Sequence, residues 1–460
     1  MSAPLILGTN SIKDTGYNVA NSLRFNSGDN ASLNKTFSGA GNQQIMTFSV
    51  WIKRSQLANT NEVFSQGSGS GCHLNFQSSG TLELNLRNSV DGGSNRFVIT
   101  NRLFRDPTAW YHVVLATDTT QSTASNRIKL YINGVQETSF STADYPSQNG
   151  NLLFNEASNM RIGRSVSDNF EYGGYMAEFV FIDGQQLDPT SFGEFDEDSP
   201  TIWKPKSLSG LTFGSNGFHL DFENSSDLGN DVSGNNNDFT ATSLASTDQT
   251  IDSCTNNFCT LNPLHKSTTN VELSEGNLRA YLNQSTGWQH AAGTMAVNSG
   301  KWYWEAKATT VSAVDKTSIG VLQFNTSDVD FILNTNTDRS SKGLSGHGAG
   351  TGGYSYSQGD IIMCAMDIDN NKIYWGKNGT FFGTLDPANG TGSTTQAVDN
   401  DNFCVPVVGG YGGSVWELNF GVPQFSISSG NSDAEGFGNF EYAPPSGFFS
   451  LCSKNIAEYG

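Results

Sequence analysis

Apolar and polar residues alternate along most of this chain at the period of a β-strand. Phe48, Val50 and Ile52 are separated by Thr47, Ser49, Trp51 and Lys53, which predicts a strand with one buried and one wet face. Leu82, Leu84 and Leu86 repeat the pattern against Glu83, Asn85 and Arg87. The run from Trp110 to Ala116 is nearly all apolar, as in a strand covered on both faces. After the polar stretch Asp118 to Asn126, residues 127–132 alternate again and end at Asn133-Gly134. That pair tolerates the left-handed backbone of a tight hairpin. Met176 to Ile182 makes a further strand, and Phe218 to Phe222 reads as a strand that closes the first sheet system.

The second half repeats the design. Trp302, Trp304 and Ala306 fall on one face of the run from Lys301 to Lys307, and strands follow at Ile319 to Phe324 and Asp360 to Asp369. Asn370-Asn371 and Asn378-Gly379 turn the chain on either side of Lys372 to Trp375, and Phe403 to Val408 and Val415 to Phe420 complete the count. One helical turn is expected, around Asp188 to Phe192. The whole reads as all-β: two antiparallel β-sandwich (jelly-roll) domains in tandem. The expected division is an N-terminal segment 1–17, a first sandwich 18–190, a connector 191–266 with the closing strand, and a second sandwich 267–460. Residues 225–238 lack core-forming periodicity, and the boundary is expected near Pro263-Leu264-His265.

Composition agrees with strands and turns. Charged residues make up 15% of the 460 and apolar residues 36%, with 50 glycines among the polar turn formers. The net charge of −19 splits as 15 basic and 26 acidic residues before position 265, then 10 and 18, so neither half is basic. A nucleic-acid partner is disfavoured, because phosphate binding needs a basic surface. The apolar run near the N-terminus is too short for a signal peptide, and none approaches the length of a membrane span. Manufacture in a cytoplasm, without membrane insertion, is the expectation. Six scattered cysteines do not form a disulfide framework. Cys254 and Cys259 would need a second ligand pair to hold zinc, and His265 stands alone.

Catalytic motifs are weak. Glu194 and Asp196 have the spacing of paired glycosidase carboxylates, but Ser199 stands where a third acid belongs and Pro200 points to a turn. Gly348 to Gly353 matches a dinucleotide loop without a following helix, and Gly67 to Gly71 is read as a surface loop. Nucleophile-elbow, zinc-protease and phosphate-loop motifs are absent. The expectation is a non-enzyme with no cofactor, calcium being the alternative through acidic loops such as Asp328 and Asp330. Aromatic side chains beside amides are the residues that bind sugars, the ring against the CH face and the amides on the hydroxyls. The candidates are Phe170, Tyr172 and Tyr175, Trp288 and His290, and Tyr354 and Tyr356.

Several ordered motifs carry family resemblances. Leu23-Arg-Phe-Asn26, Thr47 to Arg54, Trp110-Tyr-His-Val-Val114 and Lys129 to Val135 resemble the laminin-G-like, concanavalin-A-like jelly roll over about residues 18–190. Ser299 to Glu305, Ile319-Gly-Val321, Asp360-Ile-Ile362 and Lys372 to Gly379 resemble a SPRY domain over about 267–455. The tandem resembles virion proteins of tailed bacteriophages of the marine type. These resemblances imply glycan or protein recognition, with residues 325–358 as the variable SPRY loop. They imply a protein made in the host cytoplasm and placed on the virion surface. Other virion proteins and a host envelope glycan or protein would be its partners, with many copies per particle or a homo-oligomer. The alternatives are a capsid-decoration or tail-assembly protein packing on neighbouring subunits and, third, a glycan-cleaving enzyme.

Overall fold

The computed structural model describes residues 16–67, 71–267, 270–311, 317–324, 341–345, 355–392, 398 and 400–460. The chain is all-β and divides into two compact units, one ending at Thr255 and the other beginning at Asn256.

The first unit is built on two eight-stranded antiparallel sheets. One runs in the order Val135–Glu137, Ile128–Ile132, Trp110–Asp118, Ile45–Arg54, Gly174–Asp183, Ser22–Phe25 and Gln249–Thr250, with Phe218–Leu220 also paired to Gly174–Asp183. The other runs Phe140–Ala143, Phe97–Leu103, Thr81–Asn85, Cys72–Phe76, Asn61–Gln66, Asn159–Ile162, Ser32–Thr36 and Thr240–Thr242. Their inner faces meet through rings: Phe48 stacks on Phe181 at 4.4 Å and touches Phe64 of the opposite sheet at 4.5 Å. Each buried phenylalanine contributes about 2 kcal/mol through surface removed from water. Asn133 and Gly134, at φ 48° and 79°, make the tight hairpin that their sequence predicts.

The polar face of Ile45–Arg54 is not wet. Thr47, Ser49, Trp51 and Lys53 are all buried, because the segment from Leu187 to Phe213 lies over the outside of this sheet. Leu187, Phe192, Leu208, Leu211 and Phe213 pack against Val114, Val180 and Ile182, and Trp203 packs with Trp51, Trp110 and Tyr175. Lys53 is paired beneath this layer with Asp252 at 2.7 Å. Residues 191–255, expected to form most of a connector, therefore complete the first unit. The helical turn forms at Pro189–Ser191, capped by the Asp188 carboxylate. The stretch 225–238 is looped, yet Asp231 is buried within it and accepts the His219, Ser233 and Asn237 N–H groups. The expected boundary at 263–265 falls inside the strand Leu261–Lys266, which pairs with Gln289–Gly293 of the second unit.

The second unit pairs a five-stranded sheet with an eight-stranded one. The smaller runs Leu261–Lys266, Gln289–Gly293, Phe403–Gly410, Thr317–Phe324 and Ser341–Ser345. The larger runs Val271–Ser274, Arg279–Leu282, Ser414–Asn419, Lys301–Thr310, Ile361–Asp367, Lys372–Lys377 and Thr380–Phe381, with Phe449–Ser450 parallel to Lys301–Thr310. Trp302, Trp304, Trp375 and Trp416 fill its core, the first two together with Ala306 as the alternation predicts. Tyr303 and Glu305, on the opposite face, are buried too. A C-terminal helix, Ser453–Tyr459, which periodicity did not suggest, places Ile456 in that core.

Candidate functional site

The outward face of the second sheet of the first unit is polar where its inward face is apolar. Cys72, Leu74 and Phe76 point into the core, as do Leu82 and Leu84, so His73, Asn75, Glu83 and Asn85 share the other face. Register then aligns two rows across the strands. One contains Asn34, Arg161, Ser65, His73, Asn85 and Phe97. The other contains Glu62, Asn75, Glu83 and Ile99.

Three titratable groups converge here. His73 Nε2 lies 3.4 Å from Glu83 Oε1, and its Nδ1 lies 3.9 Å from Glu62 Oε1. Asn75 Nδ2 donates to Glu62 Oε2 at 3.4 Å. Glu62 is 1% exposed and its Oε1 has no hydrogen-bond partner. Burial pushes its carboxyl up to about 7, against the opposing pull of His73 and Asn75. A buried carboxylate oxygen without a donor costs on the order of 1–3 kcal/mol, and this one is closed off from solvent. His73 and Glu83 are half-buried and are the members of the cluster that reach the surface.

Phe170 adjoins the second row. The Glu62 N–H donates to the Phe170 carbonyl at 3.0 Å, which ties the loop at Phe170, outside any strand, to the Glu62 backbone. Its ring is 48% exposed and its backbone is left-handed at φ 57°. Asp168, also left-handed, accepts from Arg161 at 2.5 Å, and that bond holds its carboxyl below the usual range. Ser165 and Asp168 close the loop through backbone bonds to Asn169 and Ser165.

The other sequence candidates divide sharply. Tyr172 and Tyr175 are buried: the Tyr172 hydroxyl donates to the Lys53 carbonyl at 3.0 Å, and the Tyr175 ring packs under Lys53 and against Trp110. The chain is already buried at Tyr172, and at Gly174 a Cβ would lie 2.2 Å from the Lys53 carbonyl. His290 is buried beside His265, and Tyr356 is buried against Trp416 with its hydroxyl on Thr317. These four positions are core, not ligand surface. Trp288 remains half-buried, edge-on to Tyr411 at 5.5 Å. Tyr354, Asp328, Asp330 and the run 348–353 lie outside the described residues, as do residues 68–70 of the first glycine loop. Glu194 lies on a two-stranded ribbon, and Asp196 accepts from Lys204 and two turn N–H groups. That carboxylate closes a turn. Cys254 is half-buried and the other five thiols are buried; none of the six is in a disulfide. Among the described residues no group of three His, Cys, Asp or Glu is arranged to hold a metal ion, and no helix is long and apolar enough to cross a membrane.

Residues 25–187 match the family model described as the concanavalin A-like lectin/glucanases superfamily, a span that includes the whole outward cluster from Glu62 to Phe170. This stretch is a concanavalin-A-like jelly roll. No curated protein matches the sequence. The chain is similar to the SPRY domain of human HERC1, with 19% identity over 34% of this chain and 96% of that one and a TM-score of 0.26. It is similar to a heptameric SAP-like pentraxin from Limulus polyphemus, with 18% identity over 37% of this chain and 80% of that one and a TM-score of 0.28. A Bacteroides ovatus protein named for a suspected carbohydrate-binding role shares 16% identity over 50% of this chain and 61% of that one, with a TM-score of 0.31.

Proposed function

We propose that the first unit binds saccharide through the outward face around Glu62, His73 and Glu83, and that the chain is a non-enzymatic surface protein of a tailed-phage virion that engages a host envelope glycan. The observation that carries the binding reading is the half-buried pair His73 and Glu83 reaching the surface beside the buried Glu62 and Asn75, with the exposed Phe170 bonded to the Glu62 backbone. Carboxylates and amides take sugar hydroxyls, and the ring takes an apolar CH face. The match of residues 25–187 to the concanavalin A-like lectin/glucanases superfamily supports a saccharide-directed site. The virion placement rests on the sequence resemblance of the tandem, laminin-G-like then SPRY-like, to tailed-phage virion proteins. Weak single sites would gain strength from many copies on one particle.

A glycan array probed with the full chain, followed by titration against the polysaccharide it selects, tests the reading. Phe170→Ala and Glu83→Gln are each expected to weaken binding about tenfold with the fold intact, the loss of one hydrogen bond or ring contact. Binding indifferent to both substitutions overturns the site. Release of reducing sugar overturns the non-enzymatic reading and favours Glu62 as a proton donor beside Glu83. No cofactor enters this proposal, since the side chains themselves supply donors and acceptors. Binding is therefore expected to survive EDTA; loss on chelation, restored by calcium, favours the calcium alternative. Immunogold labelling of particles tests the virion placement, and label confined to host cells overturns it.

A further inference from the structure

We propose that Lys53 and Asp252 condense to an isopeptide bond, a covalent tie inside the first unit. The two side chains meet at 2.7 Å, Nζ donating to Oδ2, and are 2% and 1% exposed. Lys204, Lys301 and Lys377 also meet carboxylates, but they are 14%, 34% and 34% exposed, so water screens those pairs. The surroundings of Lys53 are aromatic. Register places it between Trp110 and Tyr175 on the two adjacent strands, and its Nζ lies 5.3 Å from the centre of the Tyr175 ring. Trp51 and Trp203 belong to the same buried cluster. Two ions taken out of water cost several kcal/mol each, and condensation removes both charges at once.

The backbone of Asp252 is fixed on both sides. Its N–H donates to Thr250 Oγ1 at 3.1 Å, and the Ser22 hydroxyl donates to its carbonyl at 2.6 Å. The indole N–H of Trp110 donates to Oδ1 at 3.4 Å, so the two carboxylate oxygens have different partners. In the step, Nζ passes one proton to Oδ2 and its lone pair then attacks Cγ. Negative charge gathers on Oδ1, toward the Trp110 N–H. Oδ2 takes a second proton from the nitrogen and leaves as water, while the third stays on the new amide. An ammonium and a carboxylate thus become one neutral amide and one water, with no further reagent. Two groups held in contact for the life of the folded chain react as an intramolecular pair. Exclusion of water from the site favours condensation over hydrolysis. The bond ties the strand Ile45–Arg54, inside its sheet, to a residue 199 positions later, close to the end of the unit at Thr255. The thiols supply no such tie, since none of the six is in a disulfide.

Intact mass spectrometry of the full chain after unfolding in urea, followed by tryptic mapping, tests this. The protein is expected to be lighter by one water than its sequence mass. Trypsin is expected to pass over Lys53 and to release residues 36–54 in a branched peptide with 207–266. Asp252→Ala is expected to restore the full mass and to separate the two peptides. The wild-type measurement decides the matter even where that variant does not fold, because an amide survives urea and an ion pair does not. A wild-type chain of full sequence mass that is cleaved after Lys53 overturns the proposal. Loss of a water without the branched peptide overturns it too, since the loss then lies elsewhere in the chain.

Discussion

Two buried glutamates in this chain do opposite things. Glu305 accepts four hydrogen bonds, from the Tyr303 hydroxyl at 3.0 Å, Asn419 Nδ2 at 3.1 Å, and the Glu441 and Tyr442 N–H groups at 3.0 and 2.7 Å. It fastens the loop at Glu441 to the central strand, and burial still lifts its carboxyl to about 6. Glu62 is equally buried, yet one of its oxygens has no donor. Replacement by glutamine should separate the two roles. Glu305→Gln turns an NH₂ toward a donor and is expected to cost about 2–3 kcal/mol, read as a lowered urea midpoint with early hydrogen exchange at Glu441 and Tyr442. Glu62→Gln removes an uncompensated buried charge and is expected to be neutral or stabilising by about 1 kcal/mol above pH 7. A melting temperature that falls with Glu62→Gln would mark it as a structural residue like Glu305. A stable variant with weakened saccharide binding is the signature of a site kept at the expense of stability.

At the scale of elements, the decisive piece is the segment from Leu187 to Phe213 that covers the first sheet. Trp203 is its anchor: the indole stacks parallel to His112 at 6.0 Å and donates to His112 Nδ1 at 2.9 Å. Gly134 lies so close that a Cβ there would sit 2.3 Å from the Trp203 ring. Trp203→Ala is expected to cost about 3–5 kcal/mol in thermal or urea unfolding, the range for a large buried ring. Gly134→Ala, strained by its positive φ as well as by the ring, is expected to cost about 1–2 kcal/mol. No such layer was legible in the sequence. Its polar strand faces read as wet because the residues that cover them are distant in the chain and show no periodicity of their own. The strands themselves were legible, since alternation is a local property that each sheet enforces residue by residue. The candidate site was half legible. Glu83 and Asn85 alternate cleanly against leucines, but the bulge between Glu62 and Phe64 breaks the alternation that would have placed Glu62 on the same face. Of the three aromatic candidates in this loop Phe170 is exposed, while Tyr172 and Tyr175, two and five residues on, are buried, a difference that no local pattern of the sequence signals.

At the scale of the whole molecule, the two units should respond differently to acid. In the second unit burial lowers both His265 and His290 to about 4, with the charge of His265 a further pull on His290. A histidine depressed in the folded state contributes stability that is present above about 6.5 and is lost as pH falls through the folded value. Glu305, raised to about 6, works the other way: its contribution is full below about 4.5 and is lost as pH rises toward 6. Two histidines against one glutamate leave a net loss of roughly 1.4 kcal/mol per pH unit between about 6 and 5, and twice that slope between about 6.5 and 6. In the first unit burial lowers His112 to about 3 and raises Glu62 to about 7, so these opposed groups nearly cancel between about 4.5 and 6.5. Acidification from about pH 7 to 5 is therefore expected to weaken the second unit by about 2–3 kcal/mol and to leave the first almost unchanged. Scanning calorimetry of the full chain across that range should show one transition moving down by several degrees while the other holds still. His290→Gln, which keeps a polar side chain without the proton site, should cut the movement to roughly a quarter, because Glu305 then cancels the remaining histidine between about 6 and 5. Two transitions that descend together would mean that the buried histidines are not the groups that set the acid limit.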